Sequence, residues 1–157
     1  MSLAALRIRP ARGEDLAALT ALEAECFHGP WSGPMIAEEL SRERAWVDLA
    51  ELPAGEIAGY SCAWSVLDTC HLLRIATRPA DQRHGVGRTL LTHLIGRARS
   101  AGHREIELEV ASRNHAAIGL YRALGFVQVG KRPAYYSDPV DDAALMLLIL
   151  NDEASRA

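Results

Sequence analysis

Gln82-Arg83-His84-Gly85-Val86-Gly87, with the helix it opens from Arg88 to about Ala101, is the stretch on which the reading of this chain turns. Upstream, His71-Leu72-Leu73-Arg74-Ile75-Ala76-Thr77 is an apolar run that reads as a strand. Downstream, Val86, Leu90, Leu91, Leu94, Ile95 and Ala98 fall on one helical stripe. The glycines therefore sit at a strand-to-helix turn. Gly85 and Gly87 remove Cβ atoms where backbone must come close to a ligand. The first amides of a helix have no intrahelical partner and lie at the positive end of its dipole. Together these make an anion cradle suited to a pyrophosphate. Two glycines at a helix start also serve packing and capping, so the loop alone leaves both readings open.

Two other phosphate loops do not fit. A Walker loop needs Lys-Ser/Thr after its second glycine, and here Arg88-Thr89 follows at too short a spacing. The dinucleotide fingerprint needs a third glycine where this chain has Leu90.

The chain has 157 residues, enough for one domain with a sizeable core. A net charge of -3 argues against a general nucleic-acid binder. Three cysteines, Cys26, Cys62 and Cys70, have no metal spacing and an odd count, which reads as reduced thiols rather than a disulfide framework. Six histidines show no ligand spacing, so no metal is assigned. Neither a signal peptide nor a membrane-length apolar run is visible. The expectation is a single cytoplasmic domain over residues 1–157, with no nucleic-acid or membrane partner.

From the N-terminus, Leu6-Arg7-Ile8-Arg9 alternates and stops at Pro10, a short first strand. A helix follows from Gly13 to Cys26, broken by Phe27-His28-Gly29-Pro30-Trp31-Ser32. Ser32 caps a second helix to about Arg42, with Met35, Ile36 and Leu40 expected inside. Ala45–Leu52 and Glu56–Val66 read as strands joined at Pro53-Ala54-Gly55. The strand Thr69–Thr77 and the long helix come next, ending at Gly102.

Arg104–Val110 alternates, with Ile106, Leu108 and Val110 on one face and Glu105, Glu107 and Glu109 on the other. Ser112 or Asn114 caps a helix that ends at Gly125. Phe126–Gly130 reads as a strand, Arg132–Asp142 as a polar loop, and Ala143–Leu150 as a last strand. The order βααβββαβαββ implies an α/β chain, a mixed sheet with helices on both faces.

That order, with the glycine loop after the fourth strand, resembles the GNAT acetyltransferase fold over nearly the whole chain. Within it, Leu108-Glu109-Val110, Asn114, and Ala116-Ala117-Ile118 through Leu120-Tyr121 to Gly125-Phe126 resemble the bacterial ribosomal-protein-alanine N-acetyltransferases. Pro30-Trp31-Ser32 and Tyr135-Tyr136 match the same subfamily. The resemblance implies acetyl-CoA as donor and, as acceptor, the N-terminal α-amine of a small-subunit ribosomal protein. Arg74, Thr69 and Thr77 depart from it, standing where the subfamily usually has a small polar residue such as Asn, a Glu and a Val.

Acetyl transfer to an amine needs a neutral amine, a polarised carbonyl and a protonated leaving thiolate. A free α-amine has a pKa of about 7.7 to 8.0, so a base must take its proton. The resemblance assigns that base to Glu109; on the residues alone, all three glutamates also fit one solvated face. It assigns the acid for the CoA sulfur to Tyr121, which equally fits a core aromatic. For CoA it implies the backbone of Ile75, Ala76 and Thr77 along the pantetheine arm and Asn114 touching it. The pyrophosphate goes to Arg83, His84, Gly85, Val86, Gly87 and Arg88, chiefly by main-chain amides. Trp31, Tyr135 and Tyr136 would line the acceptor channel, with Asp138, Asp141 and Asp142 attracting basic residues behind the amine; singly, each fits a loop aromatic or a solvated acidic turn equally well. The open alternatives are a GNAT acting on a small amine or lysine side chain, and a CoA-binding module without turnover.

Overall fold

A computed structural model describes residues 6–137 and 139–150. The elements are β1 (Arg7–Pro10), α1 (Leu16–Cys26), α2 (Gly33–Ser41), β2 (Ala45–Glu51), β3 (Ile57–Val66) and β4 (Thr69–Thr77). They continue with α3 (Val86–Ser100), β5 (Glu105–Ala111), α4 (His115–Ala123), β6 (Val127–Ser137) and β7 (Val140–Ile149). This is the order expected from the sequence. The strands form one mixed sheet, β1-β2-β3-β4-β5-β7-β6, in which β4 and β5 pair in parallel. Short 3-10 turns precede α1 at Gly13–Asp15 and follow β4 at Pro79–Asp81. Two compact units divide the chain. One takes the residues up to Trp64 with Leu73–His93, and the other takes Ser65–Leu72 with the residues from Leu94 onward.

In the first unit, β2 and β3 pair antiparallel with Leu49 opposite Tyr60 and Ala50 opposite Gly59. Successive strand residues point to opposite faces, so the two pairs serve different layers. Leu19 and Leu22 of α1 and Ile36 of α2 pack with Val47, Leu49, Tyr60 and Cys62. On the other face, Val86 and Leu90 of α3 pack with Ala50, Leu52 and Ala58. Backbone approaches closely there: a Cβ on Gly59 would lie 2.4 Å from the Ala76 carbonyl oxygen and 3.0 Å from Val86 Cγ1. Only glycine fits that position.

Ser32 caps α2 as expected, its hydroxyl accepting from Met35 N at 3.3 Å. Met35 itself is exposed, contrary to expectation. Ile36 and Leu40 are one turn apart and define the inward stripe, which places Met35 about 100° around the helix from Ile36.

In the second unit, β5 alternates as its sequence requires. Ile106, Leu108 and Val110 are buried, and Glu105, Glu107 and Glu109 occupy the other face half-buried. Its register with β4 runs from Thr69↔Glu105 to Leu72↔Leu108, and its register with β7 from Glu105↔Ile149 to Ala111↔Ala143. The Asn114 side chain caps α4 by accepting from Ala117 N at 3.2 Å. Ile118 and Tyr121 are that helix's buried residues, and Gly125 follows at φ +102°.

The stretch expected to be a polar loop, Arg132–Asp142, is mostly strand. β6 runs on to Ser137 and β7 begins at Val140, with Arg132 opposite Ala143 and Tyr136 opposite Asp141. β6 is an edge strand exposed along nearly its whole length, so no buried face imposes apolar alternation on it. Pro133 falls where the register shifts between Arg132 and Tyr136, the kind of edge irregularity that admits a proline. Asp138 lies outside the described residues.

Among the described residues, no helix is long and apolar enough to cross a membrane, and no group of three His, Cys, Asp or Glu is placed to hold a metal. Cys26, Cys62 and Cys70 are free thiols.

Candidate active site

The glycine loop lies in the first unit. Residues 82–85 form turns, and α3 begins at Val86, two residues earlier than its sequence suggested. Arg83 and Gly85 both adopt positive φ, +65° and +88°. The helical hydrogen bond Thr89 N to Gly85 O closes at 3.0 Å, and Thr89 Oγ1 also donates to that carbonyl at 2.8 Å. The amides of Val86, Gly87 and Arg88 come before that bond, where a helix offers no acceptor of its own. A Cβ built on Gly85 meets nothing within 4 Å, so the space above it is open. Arg83, His84 and Arg88 are exposed around it. Open backbone, the first amides of a helix and a positive dipole end are the features that suit a pyrophosphate.

Ile75, Ala76 and Thr77 form the end of β4 that leads into this loop. The Thr77 carbonyl accepts from Gln82 Nε2 at 3.3 Å and from the Cys26 thiol at 3.3 Å. Trp31, expected on the acceptor side, lies in the connection between α1 and α2, where its amide donates to Glu23 Oε1 at 2.7 Å. Glu23 is fully buried, and Arg74 and the Tyr60 hydroxyl complete its partners. Burial pushes this carboxyl up most, but the Arg74 and Tyr60 hydrogen bonds, the Trp31 amide and the Arg74 charge together hold it below its ordinary value.

The second unit carries the expected acid and base. Glu109 is the first residue of β5 beyond the run paired with β4, and its side chain is 21% exposed. Arg132 Nη2 lies 3.4 Å from its Oε1, and the Tyr135 hydroxyl donates to it. That hydrogen bond to a carboxylate, reinforced by its charge, raises the Tyr135 phenol. Arg132 also lies over the Tyr135 ring at 5.6 Å, and Tyr135 meets Tyr136 edge-on at 5.1 Å.

Tyr121 is 4% exposed and packs against Phe126 at 5.7 Å between ring centroids. Burial, with a smaller effect from Tyr136, pushes its hydroxyl up to about 12. The hydroxyl therefore keeps its proton at neutral pH, as an ordinary phenol does. Asp141 accepts from Arg113 N at 3.0 Å, while Asp142 accepts from Ala134 N at 2.7 Å and pairs with Lys131 at 3.0 Å.

Of the expected site residues, the second unit holds Glu109, Asn114, Tyr121, Tyr135 and Tyr136, and the first holds the loop, Ile75–Thr77 and Trp31. Glu23, Tyr60 and Arg132 were not expected. Glu23 did carry a signal, an acid one position after Leu22 and four after Leu19 on the apolar side of α1. Arg132 carried none, because its meeting with Glu109 depends on strand order.

Residues 16–126 match the Acetyltransferase (GNAT) family. The ribosomal protein bS18-alanine N-acetyltransferase of Escherichia coli K12 is 35% identical over 136 residues, 85% of this chain and 90% of that one. A crystal structure of the ribosomal-protein-S18-alanine N-acetyltransferase from Escherichia coli aligns at a TM-score of 0.88 and 34% identity, covering 94% of this chain and 95% of the other. A Salmonella typhimurium protein solved with its cofactor acetyl-CoA aligns at a TM-score of 0.77 and 25% identity, covering 94% and 95%.

Proposed function

The chain belongs to the GNAT acetyltransferase family, and on that premise we propose that it transfers the acetyl group of acetyl-CoA to the N-terminal α-amine of a protein. The acceptor is the N-terminal alanine of a small-subunit ribosomal protein, which places the reaction in the cytoplasm. The observation that carries this reading is the 35% identity with the Escherichia coli bS18-alanine enzyme across 85% of the chain.

Acetyl-CoA supplies an activated thioester. The chain's own residues supply the rest of one acetyltransferase domain. Main-chain amides over Arg83–Arg88 hold the pyrophosphate, with Gly85 leaving the approach open. Backbone groups of Ile75, Ala76 and Thr77 and the Asn114 amide orient the pantetheine arm. Glu109 takes the proton of the α-amine, directly or through water, and Tyr121 gives a proton to the departing sulfur. Trp31, Tyr135 and Tyr136 line the path of the incoming N-terminus.

A short peptide beginning with free Ala-Arg tests this, with CoA release followed beside the same peptide carrying a blocked N-terminus. Reaction of the free peptide alone supports the assignment. Equal behaviour of the two peptides, with acetyl-CoA still bound, removes the α-amine as acceptor, and a panel of lysine peptides and small amines then identifies the substitute.

A further inference from the structure

The first unit contains a charged pair that this chemistry leaves unused. A fully buried carboxylate such as Glu23 is costly unless it is paired and hydrogen-bonded. Arg74 meets it with two bonds, Nε to Oε2 at 3.0 Å and Nη2 to Oε1 at 2.7 Å. The Tyr60 hydroxyl and the Trp31 amide take further lone pairs.

Arg74 also reaches past Glu23. Its Nη2 donates to the Gly29 carbonyl at 3.1 Å, and its guanidinium lies 3.7 Å over the Phe27 ring and 5.0 Å from the centre of the Trp31 ring. One side chain thus grips both the backbone and the rings of the connection between α1 and α2. A lysine could not do this, because only a planar fork donates in several fixed directions and stacks at once. Stability alone does not account for the pair, since well-packed apolar residues of similar volume are often as stable as a buried ion pair. What an apolar replacement cannot supply is the fixed geometry.

We propose that Glu23 and Arg74 are positioning residues that hold the Phe27–Trp31 connection in the conformation receiving the acceptor's N-terminus, and so set the acceptor KM while leaving acetyl-CoA binding alone. The proposal rests on the reading of Trp31 as an acceptor-side residue. Cys26, at the edge of the same connection, reports on it independently: its half-buried thiol donates to the Thr77 carbonyl, a contact that a displaced connection would open.

The test compares wild type with Arg74→Lys and with the double variant Glu23→Gln/Arg74→Met. The double variant removes both charges together, so neither is left buried without its partner. Three quantities are read: acceptor KM and kcat with the Ala-Arg peptide, acetyl-CoA affinity by calorimetry, and the labelling rate of each cysteine by a thiol reagent. Cys62 and Cys70 are buried and serve as internal references. The expected result is an acceptor KM raised about tenfold to 10²-fold, a loss of acceptor binding. Acetyl-CoA affinity and kcat stay unchanged, the pattern of lost uniform binding. Labelling accelerates at Cys26 alone.

Unchanged acceptor KM and unchanged Cys26 labelling, with acetyl-CoA bound normally, would overturn the proposal. So would simultaneous exposure of all three cysteines, which marks a general stabiliser. If wild type leaves the peptide unacetylated, the acceptor reading fails separately, and the Cys26 rate alone decides whether the pair holds the connection.

Discussion

Arg132 on β6 places its guanidinium 3.4 Å from Glu109 on β5, although β7 lies between the two strands in the sheet. The pair is joined by Tyr135, which donates to the same carboxylate and lies beneath the same guanidinium. β6 therefore contributes two side chains around the assigned base, from the segment where its register with β7 shifts.

Glu109→Gln keeps the size and the acceptor oxygen of this side chain but cannot take a proton. Its kcat is expected to fall by about 10²-fold or more. Stability should hardly move, since Arg132 is 56% exposed and exposed ion pairs contribute about 0 to 1 kcal/mol. Single-turnover rates beside thermal melts check this; a low rate accompanied by a low melting temperature would instead mark Glu109 as structural.

Tyr121→Phe removes the assigned acid and leaves the ring packed on Phe126. A fall in kcat of about 10²-fold is expected. The same variant has a pH signature. The folded hydroxyl, raised by burial to about 12 from an ordinary 10.0, holds its proton more tightly than the unfolded chain does. Stability is therefore intact below pH 10 and lost as pH rises towards 12. Two units (12 − 10) at about 1.4 kcal/mol each amount to about 3 kcal/mol. Urea titrations at pH 9 and 11.5 should show wild type losing stability that Tyr121→Phe does not lose.

The parts of this architecture that were legible in the sequence are those where burial on one face forces a pattern. β5 alternates because Ile106, Leu108 and Val110 enter the core, and α3 shows its stripe because Val86 and Leu90 pack on the sheet. Asn114 and Ser32 announced their helices through local capping chemistry. The second half of β6 was illegible because an exposed edge strand imposes no such pattern. The Glu23–Arg74 pair was illegible for another reason. Its members are 51 residues apart, and only the packing of α1 over β4 brings them together.

Arg74→Met alone strands the Glu23 carboxylate in the core, and a broken buried pair costs about 3 to 5 kcal/mol. Adding Glu23→Gln should restore most of that loss, a non-additivity readable from urea midpoints of the two single variants and the double. The acid side of the stability curve should change as well. With its folded value held below the ordinary one, Glu23 adds stability that is present above the unfolded pKa of about 4.3 and lost as pH falls through the folded value. The double variant should therefore be flatter than wild type below pH 4; an identical acid limb would mean that Glu23 is not the group being protonated.

Gly85 and Gly55 offer a matched pair for testing the cradle. Both have positive φ, +88° and +94°, and a Cβ on either meets nothing within 4 Å. Replacing either with Ala forces an L side chain into the left-handed region, at about 1 kcal/mol of stability. The difference lies in place: Gly55 turns the chain between β2 and β3, whereas Gly85 carries the carbonyl that opens α3. A methyl group at Gly85 would intrude where backbone amides meet a phosphate. Loss of one charge-assisted hydrogen bond there, about 1.5 to 3 kcal/mol, corresponds to about 10-fold to 10²-fold weaker acetyl-CoA binding. Gly55→Ala should bind acetyl-CoA as wild type does, with the same drop in melting temperature as Gly85→Ala. Calorimetric affinities that fall together in both variants would assign the effect to backbone strain and take the pyrophosphate away from this loop.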